Sequence, residues 1–260
     1  MTELEAIQQN LCGHVSSIAR QAAGMTVLDT PDLLLADSGL PADTFNVVTR
    51  ARRATPAFGA NVAAAIGHFR SRGLPFAWWV VPGYGPDTLV TELVAAGLGG
   101  PDEETGMTAR LDRLVPPALP AALSVRRVAT AQELDAFASV LAALSDPPDP
   151  WVTAFYRQGA RVVLGADSSV RCFTGYAGGE PVGSSLTFLD DGVAGIYNVA
   201  TLPRVRGRGF GEMMTWAALA DARDAGCTLA VLQASGGAER LYARLGFRAC
   251  GAVSVYHWAP

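Results

Sequence analysis

The order of secondary-structure elements predicted from the sequence repeats along the chain, and this repetition constrains the fold more than any other feature. Each run consists of a helix, a glycine, an apolar strand, a second helix, another glycine and a final strand. The first run comprises a helix over 61–72, a strand over 76–81, a helix over 87–96 and a strand over 107–111, and the second comprises a helix over 210–225, a strand over 229–234, a helix over 238–245 and a strand over 252–258. Agreement in order and spacing, more than in residue identity, indicates an internal duplication of one α/β unit.

Further elements precede each run, and a proline-rich segment separates the two parts. A strand over 45–49 precedes the first run, and a strand over 123–128, helices over 130–144 and 150–160, a hairpin of 171–177 with 182–189 and a strand over 193–202 precede the second. Prolines cannot continue a helix, so residues 116–121 are predicted to be a linker. We therefore expect one domain over 1–115 and another over 122–260. The element order predicts α/β domains, with mixed sheets flanked by helices.

Composition and charge exclude several classes of protein. The chain has 260 residues, 50% of them hydrophobic, and a net charge of −4. No apolar run reaches the roughly 18 residues that span a bilayer, and the acidic, polar start predicts no secretory signal, so we expect a cytoplasmic protein. The four cysteines lack metal-site spacing, so free thiols and no metal are expected. All 20 basic residues are arginine, and residues 121–260 contain 12 arginines against 12 acidic residues, which disfavours nucleic-acid binding.

One segment of the second half departs from this acidic background. Residues 204–211 read RVRGRGFG, with three arginines and three glycines between a predicted strand and a predicted helix. Glycines let several backbone N–H groups turn towards one point, and the following helix adds the positive end of its dipole. Arginine guanidinium groups suit phosphate oxygens. The segment therefore predicts an anion site, the alternative being a tight turn with solvated arginines.

Two common nucleotide motifs do not fit this segment. A P-loop needs G-x-x-x-x-G-K-[ST], and the chain contains no lysine. A dinucleotide-binding loop needs G-x-G-x-x-G, whereas Gly207, Gly209 and Gly211 are spaced G-x-G-x-G. The anion site must therefore belong to another class.

Two motifs in the second half resemble those of the GNAT N-acetyltransferase superfamily. Residues 206–211 (RGRGFG) fit its R-x-x-G-x-G loop, and residues 241–247 (LYARLGF) fit its L-Y-x-x-L-G-F element, with one strand between them. The resemblance covers about residues 122–260 and implies a tandem GNAT-like fold in which the C-terminal half is complete. The N-terminal half resembles a degenerate copy, because its junction at 50–61 lacks R-x-x-G-x-G, and it is expected not to bind the cofactor.

The resemblance implies acetyl-CoA as acyl donor and assigns its contacts. A splayed strand would hold the pantetheine and the acetyl carbonyl through the main chain of Val199, Ala200 and Thr201. The pyrophosphate would lie on Arg206, Gly207, Arg208, Gly209, Phe210 and Gly211. Ser235 stands where many members have asparagine against the pantetheine arm, so this contact is expected to be weaker.

Acetyl transfer to an amine also needs proton transfer. Amines have a pKa near 10.4 and thiols near 8.5, so the nucleophile must lose a proton and the leaving thiolate benefits from gaining one. Tyr242, within the second motif, is the residue we expect to be the general acid. No general base is assigned; the candidates are Tyr197, Asn198, Asp190, Asp191 and His257. Trp151, Phe155 and Tyr156 are expected either to border the acceptor pocket or to pack in the core.

The favoured function is an enzyme that acetylates an amine of a small molecule or peptide, by direct attack in a ternary complex. The alternative is a non-catalytic acyl-CoA-binding sensor. An RNA-binding module is disfavoured by the charge balance. Neither a nucleic-acid nor a membrane partner is expected. The two halves are expected to form a pseudo-dimer within one chain, or the chain a homodimer.

Overall fold

The computed structural model describes residues 1–50, 58–85, 88–117 and 122–260. In these residues the chain forms eleven strands and eight α-helices. The strands are β1 Thr26–Asp29, β2 Leu34–Asp37, β3 Val47–Thr49, β4 Phe76–Val80, β5 Gly99–Arg110, β6 Ser124–Arg127, β7 Val170–Ala177, β8 Glu180–Asp190, β9 Val193–Thr201, β10 Leu229–Ala234 and β11 Arg248–Trp258. The helices are α1 Glu3–Ser17, α2 Phe58–Arg72, α3 Leu89–Ala95, α4 Ala131–Ala142, α5 Pro150–Gln158, α6 Ala160–Val163, α7 Phe210–Asp224 and α8 Glu239–Arg244.

All eleven strands join one mixed sheet in the order β1-β2-β3-β4-β11-β5-β10-β9-β8-β7-β6. Apart from β6, this order reads the same from either end when each strand is exchanged for its counterpart in the other half. The parallel pair β3–β4 corresponds to β9–β10, and the other pairs are antiparallel. The predicted duplication and the tandem mixed-sheet architecture are therefore confirmed.

The last strand of each half lies in the other half of the sheet. Strand β5, from the first half, lies between β10 and β11, while β11, from the second half, lies between β4 and β5. The exchange makes the sheet continuous across the predicted division between 1–115 and 122–260, which stays a prediction. Part of the predicted linker, residues 118–121, lies outside the described residues.

Helices cover both faces of the sheet. Helices α7 and α8 pack on one face, where Met214, Leu219 and Tyr242 belong to one apolar cluster. The opposite face of β8–β10 is covered by α4 and α5 and, unexpectedly, by α1 from the first half: Ile7 and Leu11 share a cluster with Phe137. Helix α1 thus joins the two halves. None of the helices in the described segments has the length and apolar character needed to cross a membrane.

The boundaries of one element differ from the prediction in a way that bears on function. The final strand of the first run was expected over 107–111, but β5 begins at Gly99. Residues 99–103 are exposed and rich in polar groups, so they lack the alternation that identifies a strand from sequence. They pair with β11 instead, which places an acidic segment in the middle of the sheet.

Candidate active site

Strands β9 and β10 separate part way along their length. Their pairing joins Val193–Gly195 to Leu229–Val231, although β9 continues to Thr201 and β10 to Ala234. A β-bulge lies just beyond the last pair: Asn198 has φ +51°, and the register with β8 shifts there. A bulge bends its strand and sharpens the twist, so β9 turns away from β10 and leaves an open edge.

The open edge exposes the main chain of two of the three predicted pantetheine residues. Just beyond the end of β9, the N–H of Leu202 donates to the carbonyl of Val182 on β8, at 2.9 Å. Because peptide groups alternate sides along a strand, Ala200 faces β8, while Val199 and Thr201 face the gap. The carbonyl of Thr201 accepts a hydrogen bond from Nε of Arg206 at 3.2 Å, which ties the loop to this edge.

The loop after β9 turns at two glycines. Gly207 and Gly209 each have φ +77°, a left-handed conformation that side chains rarely adopt, and open space surrounds the position a Cβ would take. Gly209 is the N-cap of α7, and no side chain caps the helix. The first N–H groups of a helix have no intrahelical acceptor, so they point, with the helix dipole, towards an external anion. Buried Phe210 anchors the helix at this point.

A cavity of about 430 Å³ lies against this loop. Its lining residues are Thr201, Val205, Arg206, Gly207, Gly209, Phe210, Gly211, Glu212, Leu241 and Arg244. Glu212, whose negative charge would repel an anion, is paired with Arg244, and Arg204 is paired with Glu180 at 2.8 Å. Arg206 and Arg208 are exposed beside the glycines. Larger cavities, two of about 610 Å³ and one of about 490 Å³, lie away from this junction.

Gly211 has a packing role that differs from that of the first two glycines. A Cβ at Gly211 would lie 2.9 Å from Cδ1 of Leu241, which is too close for unstrained packing. The glycine therefore lets α7 approach α8, and it brings the R-x-x-G-x-G and L-Y-x-x-L-G-F segments into direct contact. The separation of the two motifs in sequence thus corresponds to one continuous site.

Tyr242 lies in α8 with its ring buried against Phe247, at 5.9 Å between ring centroids. Burial raises the pKa of its phenol to about 12, and the negative charge of Glu104 adds to this. The phenol therefore keeps its proton throughout the physiological range. Ser235 precedes α8 and is exposed; its carbonyl accepts a hydrogen bond from the N–H of Ala238 at 3.1 Å.

Most candidates for the general base are engaged in hydrogen bonds. The Tyr197 hydroxyl donates to Oδ1 of Asn10 at 2.9 Å, and burial raises the pKa of Tyr197 well above its usual value. Nδ2 of Asn198 donates to the Tyr156 hydroxyl at 2.6 Å. Asp190 and Asp191 lie at the other end of β9, where it is still paired with β10. Their position removes them from the gap.

His257 and the aromatic candidates border the contact between the halves. Nδ1 of His257 lies 2.9 Å from Asp43 in the first half. Phe155 stacks on Phe45 at 3.9 Å, whereas Trp151 is exposed. These contacts join side chains of both halves, which the sequence did not indicate.

Sequence reasoning missed Glu104, on β5. Burial raises the pKa of its carboxyl, the nearby Asp102 adds to this and His257 opposes it, and together they bring the pKa to about 7. Its negative charge also acts on Tyr242, so the two side chains are close enough to interact electrostatically. The segment 102–104 is Asp-Glu-Glu and resembles a solvated acidic turn in sequence. The pairing of β5 between β10 and β11 places it beside the end of β10.

Comparisons with known proteins agree with this geometry. The sequence profile of the acetyltransferase (GNAT) family matches residues 137–247, which include the gap, the glycine loop and α8. A GCN5-related N-acetyltransferase from Kribbella flavida is similar at 19% identity, covering 98% of this chain and 96% of that one, with a TM-score of 0.71. A GCN5-related N-acetyltransferase from Sphaerobacter thermophilus is similar at 16% identity, with coverage of 98% and 91% and a TM-score of 0.61.

A third solved structure shares the duplicated architecture. It is a tandem GNAT protein from the clavulanic acid biosynthesis pathway, 18% identical, covering 87% of this chain and 78% of that one, with a TM-score of 0.59. No curated protein matches the chain significantly. The molecule thus has a tandem GNAT fold, and residues 137–247 within its second half match the acetyltransferase (GNAT) family. This match supports acetyl transfer in general terms.

Proposed function

We propose that this protein is an N-acetyltransferase that moves the acetyl group of acetyl-CoA to an amine of a small molecule or peptide. The observation that carries this proposal is the direct continuity of two features: the open edge of β9 leads straight into the glycine N-terminus of α7. The first suits an extended amide-containing arm, and the second suits a diphosphate. Coenzyme A contains both groups in that order.

The glycine loop would hold the pyrophosphate. The N–H groups of the first turn of α7 and the guanidinium groups of Arg206 and Arg208 are the donors available there. Open space at Gly207 and Gly209 allows close approach of phosphate oxygens to the main chain. Arg206 also keeps the loop in register with β9 through Thr201.

The gap beside β9 would hold the pantetheine arm and the thioester. Val199 and Thr201 present main-chain groups to it, and Ala200 supports them from its pairing with Ser184 on β8. A backbone N–H at this edge is suited to stabilise the oxyanion that develops on the acetyl carbonyl, an effect typically worth about 3 kcal/mol. Ser235, at the end of β10, is exposed and short, so its contribution to affinity is expected to be small.

Tyr242 would stabilise the departing thiolate. With a pKa of about 12, its phenol holds its proton more tightly than a thiol of pKa near 8.5 does. Its main contribution is therefore a hydrogen bond donated to the sulfur as negative charge develops there, in addition to delivery of the proton. The thioester supplies the activated acyl group, and the amine attacks it directly in a ternary complex.

The first half is proposed to bind no acetyl-CoA. Strand β3 has three residues against nine in β9, and its partner β4 pairs with it at two positions. Arg50, which follows β3, pairs with Asp29 rather than projecting into a loop. Residues 51–57, within the junction predicted to lack the motif, lie outside the described part of the chain. The two halves would thus form a pseudo-dimer with one cofactor site.

Two measurements test the proposal. Calorimetric titration with coenzyme A should show one site per chain, and a panel of amines with acetyl-CoA should release free thiol at a rate that depends on the amine. A non-catalytic acyl-CoA sensor would show the binding without amine-dependent thiol release. Absence of coenzyme A binding would overturn the proposal as a whole.

A further inference from the structure

The strand exchange places a carboxylate from the first half beside the active-site gap of the second. Ala234, the last residue of β10, pairs with Thr105 of β5. Glu104 is the next residue of β5 and therefore lies just past the end of β10, where β9 and β10 are already apart. On its other side, Glu104 pairs with Val253 of β11.

The contacts of neighbouring residues fix the face of the sheet on which Glu104 lies. A Cβ at Gly106 would meet Cδ1 of Ile7 at 3.0 Å, and the Thr108 hydroxyl donates to Glu3 at 3.1 Å, so even-numbered positions of β5 face α1. Odd-numbered positions face α8, because the Thr105 hydroxyl donates to Glu239 at 3.1 Å. Side chains alternate along a strand, so Glu104 faces the side of α1.

A second polar side chain lies on the same face. Gln233 pairs with Gly106 and so projects towards the α1 side of the sheet. Its Nε2 is buried without a hydrogen-bond partner among the described residues. Buried polar atoms are normally satisfied, so an unsatisfied amide two positions along from a carboxylate indicates a place where a polar ligand group is bound.

The electrostatic surroundings of Glu104 come from three elements. Asp102 on its own strand repels its negative charge, His257 on β11 stabilises it, and Tyr242 on α8 responds to it. Burial is the largest cause that raises the pKa of this carboxyl, and the charge of Asp102 adds to it. These opposing influences hold the pKa at about 7, the value at which a general base is most useful near neutral pH.

We propose that Glu104 is the general base of the acetyl transfer and removes a proton from the acceptor amine on the α1 side of the gap. This assignment rests on the proposed function. It means that the catalytic centre is composite: the second half provides the site for acetyl-CoA, and the first half provides the base through its exchanged strand. The first half is then a catalytic part of the enzyme and not a remnant of duplication.

The proton balance of the step is as follows. An ammonium group gives one proton to the Glu104 carboxylate, directly or through one water, and its nitrogen lone pair forms the C–N bond to the acetyl carbon. The C–S bond breaks and its electron pair goes to sulfur. The nitrogen loses its second proton, the sulfur gains one with the help of Tyr242, and Glu104 returns its proton to solvent. The net products are the amide, the free thiol and one proton.

The test compares Glu104→Gln with Glu103→Gln, using the full chain and the best amine of the panel. Glu103 is the adjacent acid, faces the other side of the sheet and accepts a hydrogen bond from Ser254 at 2.9 Å. We expect Glu104→Gln to lower kcat/KM at pH 7.5 by about 10²- to 10⁴-fold, the usual contribution of a general base. Glu103→Gln should stay within threefold, and both should bind coenzyme A as the unchanged protein does.

The pH profile separates a base from a structural residue. For the unchanged protein, kcat/KM should fall tenfold per pH unit below about pH 7. For Glu104→Gln, this break should disappear, and the rate should instead rise steadily towards the pKa of the amine, since only already neutral amine reacts. If Glu104→Gln lowered kcat/KM by the same factor at all pH values, or stayed within threefold of the unchanged protein, the role of Glu104 would be refuted.

The same experiment distinguishes the two proposals. Thiol release by the unchanged protein combined with an unaltered Glu104→Gln profile refutes the base and leaves the acetyltransferase standing. Coenzyme A binding without amine-dependent thiol release by the unchanged protein refutes the acetyltransferase, and the assignment of Glu104 with it.

Discussion

The two strand-to-helix junctions of this molecule, β3 to α2 and β9 to α7, share one architecture but differ in the strand edge that each exposes. In each, a parallel pair of strands separates after two or three positions, and a 15-residue helix follows that begins with Phe-Gly. In the second half, a bulged nine-residue strand leads to glycines with positive φ. In the first half, β3 stops after three residues. Both halves thus keep the parallel strand pair and the following helix, but only the second half has a long open edge, that of β9.

The arginines of the two junctions show the same divergence. Arg50 in the first half has φ +58° and pairs with Asp29, and its side chain is only 22% exposed. Arg206 in the second half is exposed, and the one hydrogen bond of its side chain within the described residues goes from Nε to the carbonyl of Thr201. One guanidinium stabilises the fold, whereas the other has donors left for a ligand. Under the proposed function, the first copy no longer binds the cofactor, while its strand β5 still contributes to the site.

The largest expected effect is a loss of coenzyme A affinity when a negative charge is placed at the junction between β9 and α7. Gly209→Asp places a carboxylate at the N-cap of α7, where the anion is proposed to bind. Aspartate is a favoured N-cap and tolerates positive φ better than most residues, so the fold should be retained. Charge repulsion and loss of space should weaken coenzyme A binding by at least about 100-fold, close to 2.7 kcal/mol, measured by titration calorimetry.

The control variant in the other junction is Gly59→Asp, at the second residue of α2. Gly59 lies in the first turn of α2, with open space around the position of a Cβ. An acidic residue is favourable there, so stability should be unchanged or slightly higher and coenzyme A binding unaltered. Loss of binding in Gly59→Asp, or its retention in Gly209→Asp, would reverse the comparison between the two halves.

The next effect concerns the helix that joins the halves. Asn10 of α1 is buried. Its Nδ2 donates a hydrogen bond to the carbonyl of Val193 at 3.2 Å, and its Oδ1 accepts one from the hydroxyl of Tyr197 at 2.9 Å. Asn10→Ala leaves these groups unpaired and should lower the free energy of unfolding by about 2–4 kcal/mol, measured in urea. Gln9→Ala, at the exposed neighbouring position, should change it by less than about 0.5 kcal/mol. Equal effects would show that α1 contributes little to the second half.

A third effect separates chemistry from binding within the second half. Tyr242→Phe removes the hydroxyl and leaves the ring against Phe247. Since the sulfur then loses its hydrogen-bond donor, kcat should fall at least about tenfold while the affinity for acetyl-CoA stays nearly the same. Tyr256→Phe, at a buried position in the core of the first half, should leave kcat unchanged. Unaltered turnover in Tyr242→Phe would remove that residue from the mechanism.

These predictions show which parts of the molecule the sequence specifies. Long helices and apolar strands of the second half follow from local periodicity, and the capping box of Thr130 with Glu133 marks the start of α4. The same signal, Thr2 with Glu5, marks α1, which the sequence reading did not use. Which half α1 packs against is not a local property, because it depends on contacts with β8–β10 that are distant in sequence.

The site divides in the same way. Motif residues 206–211 and 241–247 are contiguous, so their spacing was sufficient to propose a cofactor site. Glu104 could not be recognised from a contiguous motif, because its environment forms only when β5 pairs with β10 and β11 of the other half. A carboxylate with a pKa near 7 looks like any surface acid in sequence. Only the strand order of the sheet, in which the last strands of the two halves are exchanged, identifies Glu104 as a candidate.

The smallest expected effect is on the pH dependence of stability, and it tests the contact between α1 and β9. His14 stacks on Tyr197 of β9 at 3.7 Å, and burial of its Nδ1 lowers its pKa from about 6.5 to about 3. Unfolded chains bind this proton below about pH 6.5, whereas the folded protein does not until about pH 3, so stability is lost as pH falls between these values. The residue as a whole is only half-buried, so we expect a loss of about 1–2 kcal/mol by pH 4.5.

His14→Phe keeps the stacked ring and removes the titrating group. The difference in unfolding free energy between pH 7.5 and pH 4.5, measured in urea, should therefore shrink by that amount, and the two proteins should be similar at pH 7.5. Other groups contribute to acid destabilisation in both proteins and cancel in the comparison. An undiminished slope would mean that His14 is protonated in the folded state. The α1–β9 contact would then be hydrated, and the two halves would be less firmly joined at this strand than the stacking of His14 on Tyr197 indicates.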